Sequence, residues 1–238
     1  MKMSKRMTMR CLPVLLLVLA GAASAQWQKK PYSEWSQKEV TSLLNNSPWS
    51  QSQEVADTDK MIDPGRKRDA NPNPVAETAR TNYRMRFFSA KPTREALCRQ
   101  IEIKQKGKVS DELAAQLKGL VDAEFKDYVI LTLVIDTAEA GNNAGPSAAM
   151  LQKQVTSLIK NDTYVLAKGG DRVFLQEYKT PGHDGFGARF IFPRNPGGKP
   201  LITPDTGEIL FHTKLVDGPT LIYHFKVKDM MWEGKLEY

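Results

Sequence analysis

The chain has 238 residues, is 26% charged and carries a formal net charge of +7, which taken alone would suggest a nucleic-acid partner. Four of its 34 basic residues and none of its 27 acidic ones fall in the first 25 positions, so the balance from Gln26 onward is only +3. A charge that small excludes the broad basic surface that phosphate backbones require, while the remaining 213 residues are ample for one domain with its own core.

Lys2, Lys5, Arg6 and Arg10 precede an apolar run from Leu12 to Ala20, and Ala23-Ser24-Ala25 follows. That order of charge, apolar run and small residues predicts a secretory signal peptide over 1–25, cleaved before Gln26. The run is too short to span a bilayer, so the mature chain is expected to be exported, periplasmic or secreted, with no transmembrane segment. Past the leader only Cys98 remains, which allows no internal disulfide. The residue is a reactive thiol, an intermolecular bridge or, as free cysteines usually are, a small buried apolar group.

Trp27, Pro31, Tyr32 and Trp35 open the mature chain. Ser36 and Glu39 then form a capping box, and Trp35 and Val40 flank it as a hydrophobic staple. The spacing predicts a short helix from about Gln37 to Leu44, ended by Asn45-Asn46-Ser47-Pro48-Trp49. Two tryptophans bracketing two helical turns have two uses. Trp35 and Trp49 could form an exposed aromatic platform for a protein or glycan, or they could clamp the helix onto the main domain. Ser50 to Ala79 is polar and broken by Asp63-Pro64-Gly65 and Asn71-Pro72-Asn73-Pro74, which predicts a long loop or linker.

Tyr83-Arg84-Met85-Arg86-Phe87 has strand period, with the arginines on one face and the apolar residues on the other. A helix from about Thr93 to Ile103 and a second one capped by Ser110, with Leu113, Leu117, Leu120, Val121 and Phe125 at helical spacing, form a hairpin. Tyr128 to Ile135 is a continuous β-branched and apolar run, the mark of a strand buried on both faces. A third amphipathic segment places Leu151, Val155, Leu158 and Ile159 on one side. After Asn161 short strand-like segments appear at 163–167, 172–178, 188–192, 208–216 and 220–227, with a last one at 234–238.

The pattern predicts an α+β fold: a largely antiparallel sheet with three packed helices, a β-rich C-terminal half and a short N-terminal docking helix. The expected divisions are a signal peptide over 1–25, a tryptophan-bracketed helix over 26–50, a linker over 51–80 and an α+β domain over 81–238. A separate β-sandwich after about Asn161 is the alternative architecture.

Trp35 to Val40, followed by Leu43-Leu44 and Ser47-Pro48-Trp49, resembles the opening of a group of uncharacterised exported bacterial proteins. Ala90 to Leu97, an Ala-Lys-Pro-x-Arg-Glu-Ala-Leu stretch, and the closing Gly234-Lys235-Leu236-Glu237-Tyr238 resemble the same group. Some of its members are grouped with GWxTD-domain proteins, although that pentapeptide is absent here. The resemblance implies secretion and attaches no activity.

Candidate chemistry is sparse. His183-Asp184 lies in a glycine-rich stretch from Gly182 to Gly187, where the histidine could act as a general base oriented by the aspartate. No serine or cysteine stands in a nucleophile elbow. The three histidines, 183, 212 and 224, would have to converge to hold zinc. A three-residue turn at Asp217-Gly218-Pro219 would set His212 opposite His224, whereas a slip of one residue would send them to opposite faces. No nucleotide or cofactor fingerprint is present. The expected function is a non-catalytic interaction or envelope-associated module whose partner is a protein or a glycan. A hydrolase centred on Gly182–Gly187 is the alternative.

Overall fold

The computed structural model describes residues 27–56, 80–136 and 144–238. The expected signal peptide lies outside the described residues, as does the stretch 57–79 of the expected linker. The fold is α+β with antiparallel sheets and a β-rich C-terminal half.

Helix α1 (Gln37–Asn45) starts where its capping box places it. The Ser36 side chain accepts from the Glu39 amide, and the Glu39 carboxylate accepts from the Ser36 amide. Strand β1 (Ser50–Ala56) follows directly, so residues 51–56 are not the loop that their polarity suggests. It pairs with β2 (Arg80–Phe87), and β2 pairs with β3 (Tyr128–Asp136). Between them α2 (Lys91–Lys104) and α3 (Asp111–Asp122) form the hairpin, joined by the buried Cys98, Leu117 and Val121. β3 is central, as its apolar run requires, in a five-stranded sheet of order β1-β2-β3-β7-β6, in which β6 is Glu177–Lys179 and β7 is Ala188–Pro193.

The third amphipathic segment is not one helix. It divides into α4 (Ala144–Lys153) and α5 (Thr156–Ile159), with Leu151 and Ile159 buried but Val155 and Leu158 exposed. The break turns the Gln154 amide inward, where it donates to Met150 and Val216 carbonyls and accepts from the Val216 amide. The expected strand over 172–178 likewise divides. β5 (Arg172–Phe174) joins β4 (Tyr164–Ala167), β8 (Glu208–Lys214) and β9 (Thr220–Lys226) in a second sheet of order β5-β4-β8-β9. β6 (Glu177–Lys179) pairs with β7 (Ala188–Pro193) in the first. A short hairpin, β10 (Met231–Trp232) and β11 (Lys235–Leu236), closes the chain.

The two sheets face each other across an aromatic core. Phe190 and Phe192 of the first sheet meet Phe211 of the second at 5.3 and 6.1 Å, and Phe87 meets Phe225 at 4.8 Å, all edge to face. The Tyr223 hydroxyl crosses the interface to the Tyr83 carbonyl at 2.8 Å. One sheet of this sandwich uses strands from both halves of the chain, so the C-terminal half is not an independent sandwich.

Side-chain amides join the sheets at one margin. β1 and β9 are edge strands of different sheets, and their backbones do not pair. Gln53 accepts from the Ile222 amide at 2.9 Å and donates to the Thr220 carbonyl at 3.5 Å. Gln51 accepts from the His224 amide at 3.3 Å and donates to the His224 carbonyl. Each glutamine thus behaves as an extra peptide unit on an otherwise open edge. Replacing both (Gln51→Ala with Gln53→Ala) removes these bonds at a solvent-accessible seam, with an expected cost of about 1–2 kcal/mol. Urea denaturation should show the midpoint falling at unchanged slope.

Candidate functional site

All four tryptophans of the chain converge on one cluster. Trp27 stacks on Trp232 at 5.3 Å, and Trp35 and Trp49 meet both rings edge to face. Trp35 is 1% exposed and Trp49 0%, and their indole N–H groups donate to the Trp27 and Glu237 carbonyls. Neither ring can offer a face to a ligand, which removes the aromatic platform. The cluster instead fixes α1 and the C-terminal hairpin to the domain. Trp232 stands 183 positions from Trp49, a distance over which no local signal links them.

His183 is exposed on the Gly182–Gly187 turn. Asp184 is turned away from it, accepting from the Phe186 amide at 3.0 Å and pairing with Arg189. No hydrogen bond joins His183 to Asp184 among the described residues, so the base and orienting carboxylate of the hydrolase alternative do not form a pair. The glycines serve the backbone. Gly187 has φ of 88°, and a Cβ there would lie 2.3 Å from the Leu133 carbonyl oxygen, so no other residue fits against β3.

His212 and His224 share the outer face of the second sheet but are not opposite each other. Lys214 pairs with Thr220, which leaves five residues in the turn and sets His212 against Ile222 and His224 against Leu210. Val216 is held outside the ladder by Gln154, and this moves the register by two residues from the three-residue turn. His212 stacks on Tyr164 at 4.8 Å and bonds the Asp162 carbonyl, while His224 Nδ1 meets Glu208 at 2.8 Å. Among the described residues no group of three His, Cys, Asp or Glu side chains could hold a metal ion, and no helix is long and apolar enough to cross a membrane.

A shallow cleft of about 430 Å³ lies beside Ser89, Lys91, Arg94, Arg194 and Tyr238. Its cations are already engaged. The Arg94 guanidinium donates to five carbonyls, those of Phe88, Ser89, Leu120, Val121 and Ala123, and so satisfies the open end of α3. Arg194 lies 3.8 Å over the Tyr238 ring and donates to the Tyr238 carbonyl. Lys91 is shared between Glu95 and Glu233. Cys98 is fully buried, and desolvation pushes its thiol up to about 12, which makes it inert.

Among the described residues no other element covers the outer face of the second sheet. Strand alternation sends Val165, Ile209, Phe211, Leu221, Tyr223 and Phe225 into the core. The register aligns Phe174, Tyr164, His212 and Ile222 in one row on the other side, across all four strands. Phe174 is 48% exposed and Ile222 44%, and Leu166 and Leu210 form a second, half-buried pair beneath them. The sequence hid this row because its members are scattered between positions 164 and 222 as single outward residues.

One buried carboxylate is held toward its protonated form. The Glu95 side chain is 8% exposed, Oε1 lies 3.7 Å from Lys91 Nζ, and Oε2 has no hydrogen-bond partner. Burial raises its pKa to about 7, with Lys91 pulling it back and Glu233 pushing it further. The folded protein therefore holds a proton that the unfolded chain releases near 4.5. The resulting stability is present below about pH 4.5 and is lost as pH rises to about 7. Glu95→Gln should flatten this slope between pH 5 and 8 and exceed the parent at pH 8 by on the order of 2 kcal/mol, measured by urea denaturation across that range.

No protein-family model matches the chain, and no curated protein or solved structure does either.

Proposed function

We propose that this chain is an exported, non-catalytic interaction module that engages its partner through the outer face of the β5-β4-β8-β9 sheet. The observation that carries the proposal is the Phe174–Tyr164–His212–Ile222 row, exposed at both ends and half-buried between them, on a face that no other element covers among the described residues. A soluble protein rarely leaves large apolar groups in one contiguous row unless something seats on them. The geometry of the candidate catalytic groups supports the same reading, since among the described residues no carboxylate bonds His183, and His212 and His224 are each occupied by a neighbour. Export rests on the leader-like first 25 residues and on the resemblance to exported bacterial proteins, and it places the module in the periplasm or outside the cell.

Expressed with its own leader in a bacterial host, the chain should be recovered outside the cytoplasm with Gln26 as its first residue. A photoreactive residue at Ile222 should give a discrete adduct, and the same group at Lys118, exposed on α3, should give none. Equal labelling at both positions, or an unprocessed chain retained in the cytoplasm, would contradict the proposal.

A further inference from the structure

We infer that the partner seated on this face is an extended protein segment with acidic residues at its two ends and apolar side chains between them. The inference rests on the interaction-module function proposed above and adds the chemistry of the partner. The ring geometry argues against a glycan. Sugar recognition needs an open aromatic face, and both faces of Tyr164 are in use, with the Arg172 guanidinium 4.5 Å from the ring centroid and the His212 imidazole stacked at 4.8 Å. β5 and β8 flank β4, so the two groups approach Tyr164 from opposite sides. Phe174 meets the edge of this stack at 68°. The rings therefore stand upright in a row and present edges and aliphatic surface, which suits apolar side chains rather than a flat sugar.

The charges define the ends. Arg172, Lys214 and Lys226 are exposed on the same face, and none is in an ion pair among the described residues. Glu208, the acid placed among them by the register, is held by His224. Lys226 pairs in register with Glu208 at one end of β8, and Lys214 pairs with Thr220 at the other. Six residues separate these rows along β8, roughly 20 Å at strand rise. The apolar row crosses the sheet between them. A segment of about seven extended residues spans that distance, with its first and last side chains over Lys226 and Lys214, its third over the Leu166–Leu210 pair and its fifth over the Phe174–Tyr164–His212–Ile222 row. A second copy of this face would bring cations against the same apolar surface and fits less well.

The test uses the whole exported chain and three labelled heptapeptides. One has glutamate at positions one and seven and leucine at three and five. The second replaces the glutamates by lysine, and the third replaces the leucines by serine. Binding is read by fluorescence anisotropy, and its location by backbone amide shifts. The first peptide should bind at least tenfold more tightly than either of the others, with shifts confined to 164–174 and 208–226. That preference should vanish in the Lys214→Gln, Lys226→Gln variant, whose exposed positions make no ion pair among the described residues and leave the melting temperature intact. If the lysine peptide binds the face equally well, the acidic partner is wrong while the interaction module stands. If a neutral oligosaccharide shifts the face and no peptide does, the protein segment is wrong. If nothing tested shifts the face and Ile222 gives no adduct, both the partner and the module fall.

Discussion

The arrangement depends on how the chain satisfies its open sheet edges. An antiparallel sheet ends in a strand whose outward N–H and C=O groups need partners, and two facing sheets have four such edges. Here β1 and β9 lie side by side without backbone pairing, and the Gln51 and Gln53 amides make the bonds that another strand would have made. Gln154 does the same for Val216 beyond the end of β8. The seam locks the second sheet in place by its β9 edge and by its inner face. Among the described residues nothing covers its outer face, so an aromatic row there stays available.

The two ends of the described chain are tied to each other as firmly as the sheets are. Trp27, Trp35 and Trp49 come from the first described segment and Trp232 from the last. The Glu237 carbonyl accepts from Trp49, and the Glu237 carboxylate accepts from the Lys91 amide at the start of α2. One cluster thus joins α1, α2 and the final hairpin. Aromatic residues that looked suited to recognition are used for closure, and recognition passes to less conspicuous positions. Glu95 sits in the same neighbourhood as a poorly compensated buried carboxylate, so the closure of the ends responds to pH.

The sequence was legible where a local signal decided the structure. Ser36 and Glu39 mark α1, Ser110 caps α3, and the unbroken run over β3 could only be an interior strand. It was illegible where the deciding partner is remote. The Ser-Gln-Ser-Gln-Glu-Val stretch of β1 reads as loop because its glutamines are polar, yet those same amides make it a strand. Residues 172–178 read as one strand, but the chain passes between sheets there, with the Leu175 amide bonded to Thr163 and the Gln176 amide to Ile191. The offset of His212 from His224 follows from Gln154, 62 positions before Val216. The outward row could be found only after three registers were known, since periodicity assigns each member to a face but not to a neighbour.

Hydrogen exchange at the seam tests this account most directly. The outward amides of Ile222 and His224 face β1 without a backbone partner, so their protection depends on the Gln53 and Gln51 side chains. Residue-resolved exchange in the folded protein should show both amides protected like those in the β8–β9 ladder. Exchange at the rate of an open edge would mean that the sheets are not joined here, and the outer face would no longer be fixed where the account places it.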